Sequence, residues 1–385
     1  MSLDLNKSTW NRVTLGEVAR HITDRVAPET SGLERFLAGE HIPSQDLRIR
    51  EWGIIGEDPI GPMFYKRFQP SHVLYVSRRS YLRKTAVPDF SGITGEKTFV
   101  LESRDEDELL QSFLPFVLSA ERFHQYAIKN SRGSVNPYLN WKELSQYEFI
   151  LPSIDEQKRL ANLLWTVERH RDSLFNLMNA EQEVASRLIS HVRQYSAKQK
   201  VLADVASVRN GQPFPKNLQG RPVGDIPFFK IADLDGPGND RFLTIPGNWI
   251  DEGDLRSLNA SLLPAGTVVT ARVGAAIRLE RRRALKNPAL VDDNHLVIQP
   301  TSIDPDFLLA VLSETSLAQN GNSGVVPSLN QKIVRSVKLP DIPPEEERIV
   351  GAKYRTVLDA RDDTVSEANA LSALRSSLIS EIFGE

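Results

Sequence analysis

Arginine and lysine residues gather in two runs, one in each half of the sequence. The first comprises "YKRF" at 65–68 and "SRRSYLRK" at 77–84, and the second is "RVGAAIRLERRRALK" at 272–286, which follows "VVTA". Arginine binds phosphate oxygens and, through paired hydrogen bonds, the edge of guanine. An isolated basic run is more often a solvated face, but equivalent placement in both halves favours DNA contacts. The candidate DNA-binding residues are Lys66, Arg67, Arg78, Arg79, Arg83, Lys84, Arg132, Arg272, Arg278, Arg281, Arg282 and Arg283.

Two loops of small polar residues are a second shared feature, "KNSRGSVNP" at 129–137 and "QNGNSGVVP" at 319–327. The first contains Asn-Pro-Tyr, close to the Asn-Pro-Pro-Tyr with which adenine-N6 methyltransferases hold the amino group of a flipped base. Such an enzyme also needs a glycine-rich cofactor loop after a strand, and the sequence has none. The second copy has no Asn before its Pro. We therefore expect two loop ends, with Asn140 and Asn330 capping the helices that follow.

Other catalytic chemistry has little support in the sequence. The seven histidines are scattered, without the close spacing of metal ligands. "GITGEKTF" at 92–99 lacks the Gly-Lys-Ser/Thr order of a phosphate loop. The absence of cysteine excludes disulfides and thiolate sites and fits a reducing cytoplasm. We expect a chain without catalytic residues and without a metal site.

The sequence repeats itself. "PYLN" at 137 returns as "PSLN" at 327, and "LPSIDEQKRL" at 151 returns as "LPDIPPEEERI" at 339. "VLYVSRRS" at 73 aligns with "VVTARVGA" at 268, which places Arg272 opposite Arg78. Similar segments in the same order at a near-constant offset indicate a tandem duplication.

Each half combines a mixed region with a long heptad helix. Short β-branched and aromatic runs separated by Gly/Pro loops predict strands. After each mixed region, apolar residues recur at heptad spacing, interrupted at Arg171 and Arg361. The predicted fold class is α+β, with two tandem mixed α/β domains joined by two long antiparallel coiled-coil helices. The predicted boundaries are 1–150 and 199–340 for the domains, and 151–198 and 341–385 for spacer helices of about 60 Å.

The composition sets broad limits. A chain of 385 residues is long for one domain. No apolar run approaches the roughly 18 residues that a membrane span needs, so we expect no membrane partner. The net charge of −3 neither favours nor excludes nucleic acid, because the clustering of basic residues decides binding.

The whole chain resembles the specificity (S) subunits of type I restriction–modification systems. The resemblance lies in "LPSIDEQKRLANLL" opening a long helix, its degenerate copy "LPDIPPEEERIVGA", "RFLAGEHI" at 35–42, the two basic strands, and "LRSSLISEIFGE". It implies a cytoplasmic, sequence-specific DNA-binding subunit. The mixed regions would be target-recognition domains that each read half of a split site in double-stranded DNA, and the helices would set the spacing.

The resemblance also implies partners and cofactors. Two DNA methyltransferase (M) subunits and restriction/translocase (R) subunits would dock on this chain. S-adenosylmethionine, ATP and Mg²⁺ would belong to those partners, and this chain would carry no cofactor. An alternative is a coiled-coil adaptor whose two domains bind protein, which the near-neutral net charge slightly favours. A methyltransferase is a third reading.

Overall fold

The chain forms two compact units. The computed structural model describes residues 3, 5–317 and 328–384. Unit 1 comprises Met1–Asn176 together with Val365–Glu385, and unit 2 comprises Leu177–Thr364. The polar loop at 319–327 lies outside the described residues.

Unit 1 contains two four-stranded sheets and a two-stranded ribbon. Its strands are β1 Asn11–Thr14, β2 Ala19–Ile22, β3 Arg35–Leu37, β4 Gly53–Ile54, β5 Phe64–Phe68, β6 Val73–Val76, β7 Thr85–Ala86, β8 Gly92–Gly95, β9 Thr98–Ser103 and β10 Glu148–Leu151. The sheets have the orders β2-β9-β6-β7 and β4-β3-β8-β5, and β1 pairs with β10. The short helices are α1 Leu15–Val18, α2 Leu114–Val117, α3 Glu121–Lys129 and α4 Trp141–Leu144.

The long helix α5, Ile154–Tyr195, follows β10 directly. Its apolar side chains Leu160, Leu164 and Val167 lie in the unit 1 core. The C-terminal part of the second long helix, α10 Pro344–Phe383, adds Leu378 and Ile382 to the same core. Both sets follow the heptad spacing predicted from the sequence.

Unit 2 repeats this plan. Its strands are β11 Gln199–Val201, β12 Ala206–Asn210, β13 Ile226–Phe229, β14 Phe242–Leu243, β15 Asn248–Ile250, β16 Val268–Ala271, β17 Arg282–Leu285, β18 Leu290–Val291, β19 His295–Pro300 and β20 Lys338–Pro340. They form the sheets β12-β19-β16-β17-β14 and β15-β13-β18, and β11 pairs with β20. The remaining helices are α6 Leu202–Val205, α7 Glu252–Ser257, α8 Pro305–Ser313 and α9 Gln331–Arg335.

Strand register defines how the two copies correspond. Val73 pairs with Leu101 in unit 1, and Val268 pairs with Ile298 in unit 2. The backbone N–H of Leu139 donates to the Ser77 carbonyl over 3.1 Å, and that of Leu329 donates to the Arg272 carbonyl over 2.9 Å. The counterpart of Arg272 is therefore Ser77, and the alignment of Arg272 with Arg78 is wrong by one residue.

The long helices pack antiparallel within each unit, which confirms the predicted fold class. In unit 1, Arg375 of α10 binds Glu168 of α5, and His170 lies 2.7 Å from Glu367. In unit 2, Arg361 of α10 donates to Gln182 of α5 over 2.6 Å. The Glu168–Arg375 pair is buried, so a charged contact lies inside the helix seam of unit 1.

Two absences concern the described residues only. Among them, no helix combines the length and apolar character required to cross a bilayer. Within the same ranges, no three histidine, aspartate or glutamate side chains are grouped as metal ligands would be.

Candidate nucleic-acid interface

The turn after β6 presents the first pair of predicted arginines. β6 is buried throughout, and Arg78 and Arg79 follow its end with exposed side chains. Arg79 has a left-handed backbone at φ 55°, a conformation that costs a non-glycine residue of order 1 kcal/mol. Its N–H donates to the Pro137 carbonyl over 2.6 Å, and its Nε donates to Asn136 Oδ1 over 2.8 Å. The turn is thereby fixed against the loop at 131–138.

That loop returns on itself as a narrow hairpin. The N–H of Arg132 donates to the Tyr138 carbonyl over 2.8 Å, and the reverse bond is 2.9 Å. Gly133 turns the chain at φ 100°, which favours glycine. Tyr138 also forms an isolated bridge with Arg78. Arg78, Arg79 and Arg132 therefore surround one exposed loop, although Arg132 is paired with Glu143 at 2.5 Å.

The other predicted cations of unit 1 have partners inside the fold or lie within it. Arg83 forms an ion pair with Glu121 at 2.6 Å, and the Lys84 ammonium donates to the Gly39 carbonyl. Arg67 is half-buried in β5. Lys66 is buried beside it, and its ammonium donates to the carbonyls of Glu96 at 2.6 Å and Thr98 at 2.9 Å. We therefore leave Lys66 out of the proposed DNA contacts, because its charge already binds the protein.

In unit 2 the predicted arginines differ in side-chain exposure and in their polar partners. Arg278 is exposed, without a polar partner in the described part of the chain. Arg272 is half-buried, and its Nε donates to the Asp293 carbonyl over 2.8 Å. Arg281 is paired with Asp235, and Arg283 donates to the Asn239 carbonyl.

Arg282 is buried in β17. It is paired with Glu280 and donates to the Thr315 carbonyl over 2.6 Å. Like Lys66, it stabilises the fold and is left out of the proposed contacts. The charge runs "YKRF" and "RRR" therefore contain inward-facing cations, because Lys66 of β5 and Arg282 of β17 occupy buried strand positions next to the half-buried Arg67 and Arg283.

A cavity of about 230 Å³ lies close to the unit 1 loop, and the sequence did not predict it. Lys97 lines it and holds its ammonium 4.3 Å from the Tyr138 ring centroid. The other lining residues are His21, Thr23, Arg25, Tyr65, Lys66, Ser77, Glu96, Phe99, Leu139, Asn140 and Trp141. The cavity could have been suspected from a difference between the two copies just after the loop, where "NWKEL" in the first copy corresponds to "NQKIV" in the second.

Burial changes the protonation of two cavity residues. The pKa of Lys66 is lowered to about 8, mainly by burial; the Glu96 charge opposes this shift, and the charges of Lys97 and Arg25 add to it. Burial also lowers the pKa of His21 to about 4, with a smaller contribution from the Lys66 charge. At neutral pH the His21 imidazole is thus uncharged, and its buried Nε2 has no hydrogen-bond partner among the described residues.

The two asparagines that follow the loops behave differently. Asn330 caps α9 as predicted, its side chain accepting from the Lys332 N–H over 2.8 Å. Asn140 makes no such bond to α4, so the prediction of a side-chain cap there is wrong. The Asn140 amide lines the cavity instead.

Comparison with known proteins shows which proteins this architecture is similar to. Residues 65–181 match the type I restriction modification DNA specificity domain. The chain is similar to the type I restriction–modification S subunit from M. genitalium, with a TM-score of 0.65, 15% identity and full coverage of both chains. It is also similar to a chain from a structure on complex assembly and conformational transition of the type I R-M system, with a TM-score of 0.50, 18% identity and 97% coverage of each chain. Residues 65–181 therefore resemble the type I restriction modification DNA specificity domain, and the chain as a whole has the fold of the type I S subunit from M. genitalium.

Proposed function

We propose that this chain is the DNA-specificity subunit of a type I restriction–modification complex and that each unit reads one half of a split target. The observation that carries the proposal is the free cationic surface around the unit 1 loop. Arg78 and Arg79 are exposed there without an acidic partner among the described residues. Arginines so placed can bind phosphates or base edges. The matching specificity domain supports the same conclusion.

The duplicated plan assigns the second half-site to unit 2. Its exposed Arg278 and half-buried Arg272 follow β16, the counterpart of β6. α5 and α10 take part in both units, so they set the spacing between the half-sites. Residues 1–150 and 199–340 are the target-recognition domains of this proposal, and residues 151–198 and 341–385 are its spacers.

Catalysis belongs to partner subunits in this proposal. Two methyltransferase subunits and the restriction subunits dock on this chain and bring S-adenosylmethionine, ATP and Mg²⁺. The similar chain from the structure on type I R-M complex assembly supports such partners. This chain contributes the positioning of the DNA.

The test is a methylation map of a host genome in which the chain is expressed with its methyltransferase. We expect methylation at a split sequence motif. Replacing residues 199–340 with those of a related subunit should change one half of the motif and keep the other. Alteration of both halves of the motif contradicts modular recognition. A methylated motif that is unchanged by the exchange favours the alternative of a protein-binding adaptor, which the net charge of −3 suggests.

A further inference from the structure

The unit 1 cavity has an aromatic wall. The Trp141 ring centroid lies 6.0 Å from that of Phe99 and 5.7 Å from that of His21. His21 meets Phe99 edge to face at 4.8 Å. The planes of Phe99 and Trp141 are inclined by 57° and those of His21 and Trp141 by 43°, so the three rings form an angled corner. The imidazole is uncharged at neutral pH, so this corner is weakly polar. Of these rings Trp141 is partly exposed, and a single aromatic ring face is sufficient to stack a planar nucleic-acid base.

Hydrogen-bonding groups of both kinds border this wall. The amide of Asn140 and the hydroxyls of Thr23 and Tyr65 line the cavity, and they make no side-chain hydrogen bond within the described chain. An amide offers one donor group and one acceptor, which is the combination that pairs with a base edge. These polar groups are therefore available for hydrogen bonds to a ligand.

Three cations line the cavity against one carboxylate. Arg25 lies over the Tyr65 ring at 4.5 Å, and Lys97 lies 3.5 Å from Glu96. Lys66 adds its charge from below the surface. The excess of positive charge attracts an anionic group attached to whatever occupies the cavity.

Unit 2 lacks these features at the corresponding place. By strand and loop register, Val208 replaces His21, Leu296 replaces Phe99, and Gln331 replaces Trp141. Gln331 donates to Asn210 over 2.9 Å, so polar groups there bind each other. The repeated fold therefore forms without the aromatic wall, and stability alone does not require it.

We propose that the unit 1 cavity binds a single nucleobase, stacked on Trp141 and hydrogen-bonded by Asn140, with its phosphate near Arg25 and Lys97. The volume of about 230 Å³ fits one base and is below the roughly 300–1,000 Å³ of sites for larger ligands. The base comes either from bound DNA, as an unstacked nucleotide, or from a free nucleotide. Only the first source rests on the proposed function.

The experiment is a titration of the full chain with the four deoxynucleoside 5′-monophosphates, followed by saturation-transfer NMR. Deoxyribose 5-phosphate, which lacks a base, is the matched ligand. At least one nucleotide should saturate, and Asn140→Ala should weaken it about tenfold or more. The repeat counterpart Asn330→Ala should leave binding unchanged. Equal binding of deoxyribose 5-phosphate, or no nucleotide binding in the millimolar range, overturns the proposal.

A second pair of variants separates stacking from folding. Trp141→Phe keeps an aromatic ring and should retain most of the binding, whereas Trp141→Ala should lose it, with both folded by circular dichroism. Equal binding by the two folded variants overturns the stacking. If Trp141→Ala does not fold, Asn140→Ala and Trp141→Phe still decide the question.

The source of the base is tested with the preferred duplex carrying 2-aminopurine at each position of the first half-site in turn. A fluorescence rise at one position, reduced by Asn140→Ala, assigns the cavity to DNA. Nucleotide binding without such a rise assigns it to a free nucleotide. A methylated split motif without any nucleotide binding overturns the cavity proposal and leaves the proposed function standing.

Discussion

The two units share a backbone plan and differ in what they bury. Strands β6 and β9 pair in unit 1 as β16 and β19 do in unit 2. Unit 1 encloses a cationic cavity with an aromatic wall, whereas the corresponding groups of unit 2 are Val208, Leu296 and a bonded Gln331–Asn210 pair. A duplicated fold therefore constrains the sheets and leaves the side chains near the loops free to diverge. The proposed function, in which the two units recognise different half-sites, requires that freedom.

The helix seam provides the largest contrast. Glu168 and Arg375 form a buried ion pair in unit 1. The positions 190 residues away are apolar: Ala185 lies in the unit 2 core, and the partly buried Leu358 packs against that core. Arg375→Ala should lower the free energy of unfolding by about 3 kcal/mol, because Glu168 keeps only Arg171 as its partner. Urea unfolding followed by tryptophan fluorescence measures this, since Trp10, Trp52, Trp141 and Trp165 all lie in unit 1.

The control copies the unit 2 combination into unit 1. Glu168→Leu together with Arg375→Ala should recover most of the lost stability, because exchanging a buried ion pair for apolar residues is often neutral or stabilising. A double variant as unstable as Arg375→Ala means that the unpaired carboxylate is not the cause.

The buried Lys66 makes the stability of unit 1 depend on pH. Burial lowers its pKa from 10.5 to about 8. Between these pH values the unfolded chain binds more protons than the folded one, so folding stability rises with pH. Relative to Lys66→Met, the wild type should gain roughly 3 kcal/mol from below pH 8 to near pH 10.5. Urea unfolding at the two pH values checks this.

The exposed lysine Lys332 of unit 2 serves as the matched position. If the change in unfolding free energy with pH differed between wild type and Lys332→Met by the same amount, the effect would come from the loss of a lysine charge in general and not from the burial of Lys66.

Free and paired arginines should contribute unequally to DNA affinity. Replacing both Arg78 and Arg79 with alanine should weaken binding of the preferred duplex about tenfold and reduce the slope of log K against log salt by about 2. Arg281→Ala should have a smaller effect, because Asp235 already neutralises that side chain. Fluorescence anisotropy across a salt series gives both quantities. An equal loss for Arg281→Ala contradicts the distinction.

The smallest expected effect concerns the two asparagines. Asn330→Ala should lower the free energy of unfolding by about 1 kcal/mol, because it removes the cap of α9. Asn140→Ala should change it by at most a few tenths, because Asn140 makes no capping bond. Thermal unfolding by circular dichroism compares the two. Equal losses would mean that Asn140 has a structural role that its contacts do not indicate.

Local periodicity explains why much of the fold could be predicted. The heptads of α5 and α10 place Leu160, Leu164 and Leu378 in the core because helical spacing depends only on near neighbours. The repeat revealed the two-unit plan for the same reason, since each copy carries its own pattern. These features need no knowledge of distant contacts.

The candidate site depended on contacts that sequence does not display. "YKRF" indicated an exposed basic run, yet strand alternation turns Lys66 toward two carbonyls more than 25 residues away in sequence. The cavity combines β2, β5, β9 and the start of α4, so no single segment contains its pattern. The sequence feature that could have indicated the cavity is the replacement of Trp141 in the first copy by Gln331 in the second.

The division of the units along the chain has a consequence for biosynthesis. Unit 2 is one continuous segment, whereas the core of unit 1 includes Leu378, Ile379 and Phe383 from α10. Domains generally fold during translation as their segments leave the ribosome. Synthesis of unit 1 therefore begins first and is completed last. The apolar face that α5 presents in unit 1 remains uncovered until Leu378, Ile379 and Phe383 have been synthesised, after all of unit 2.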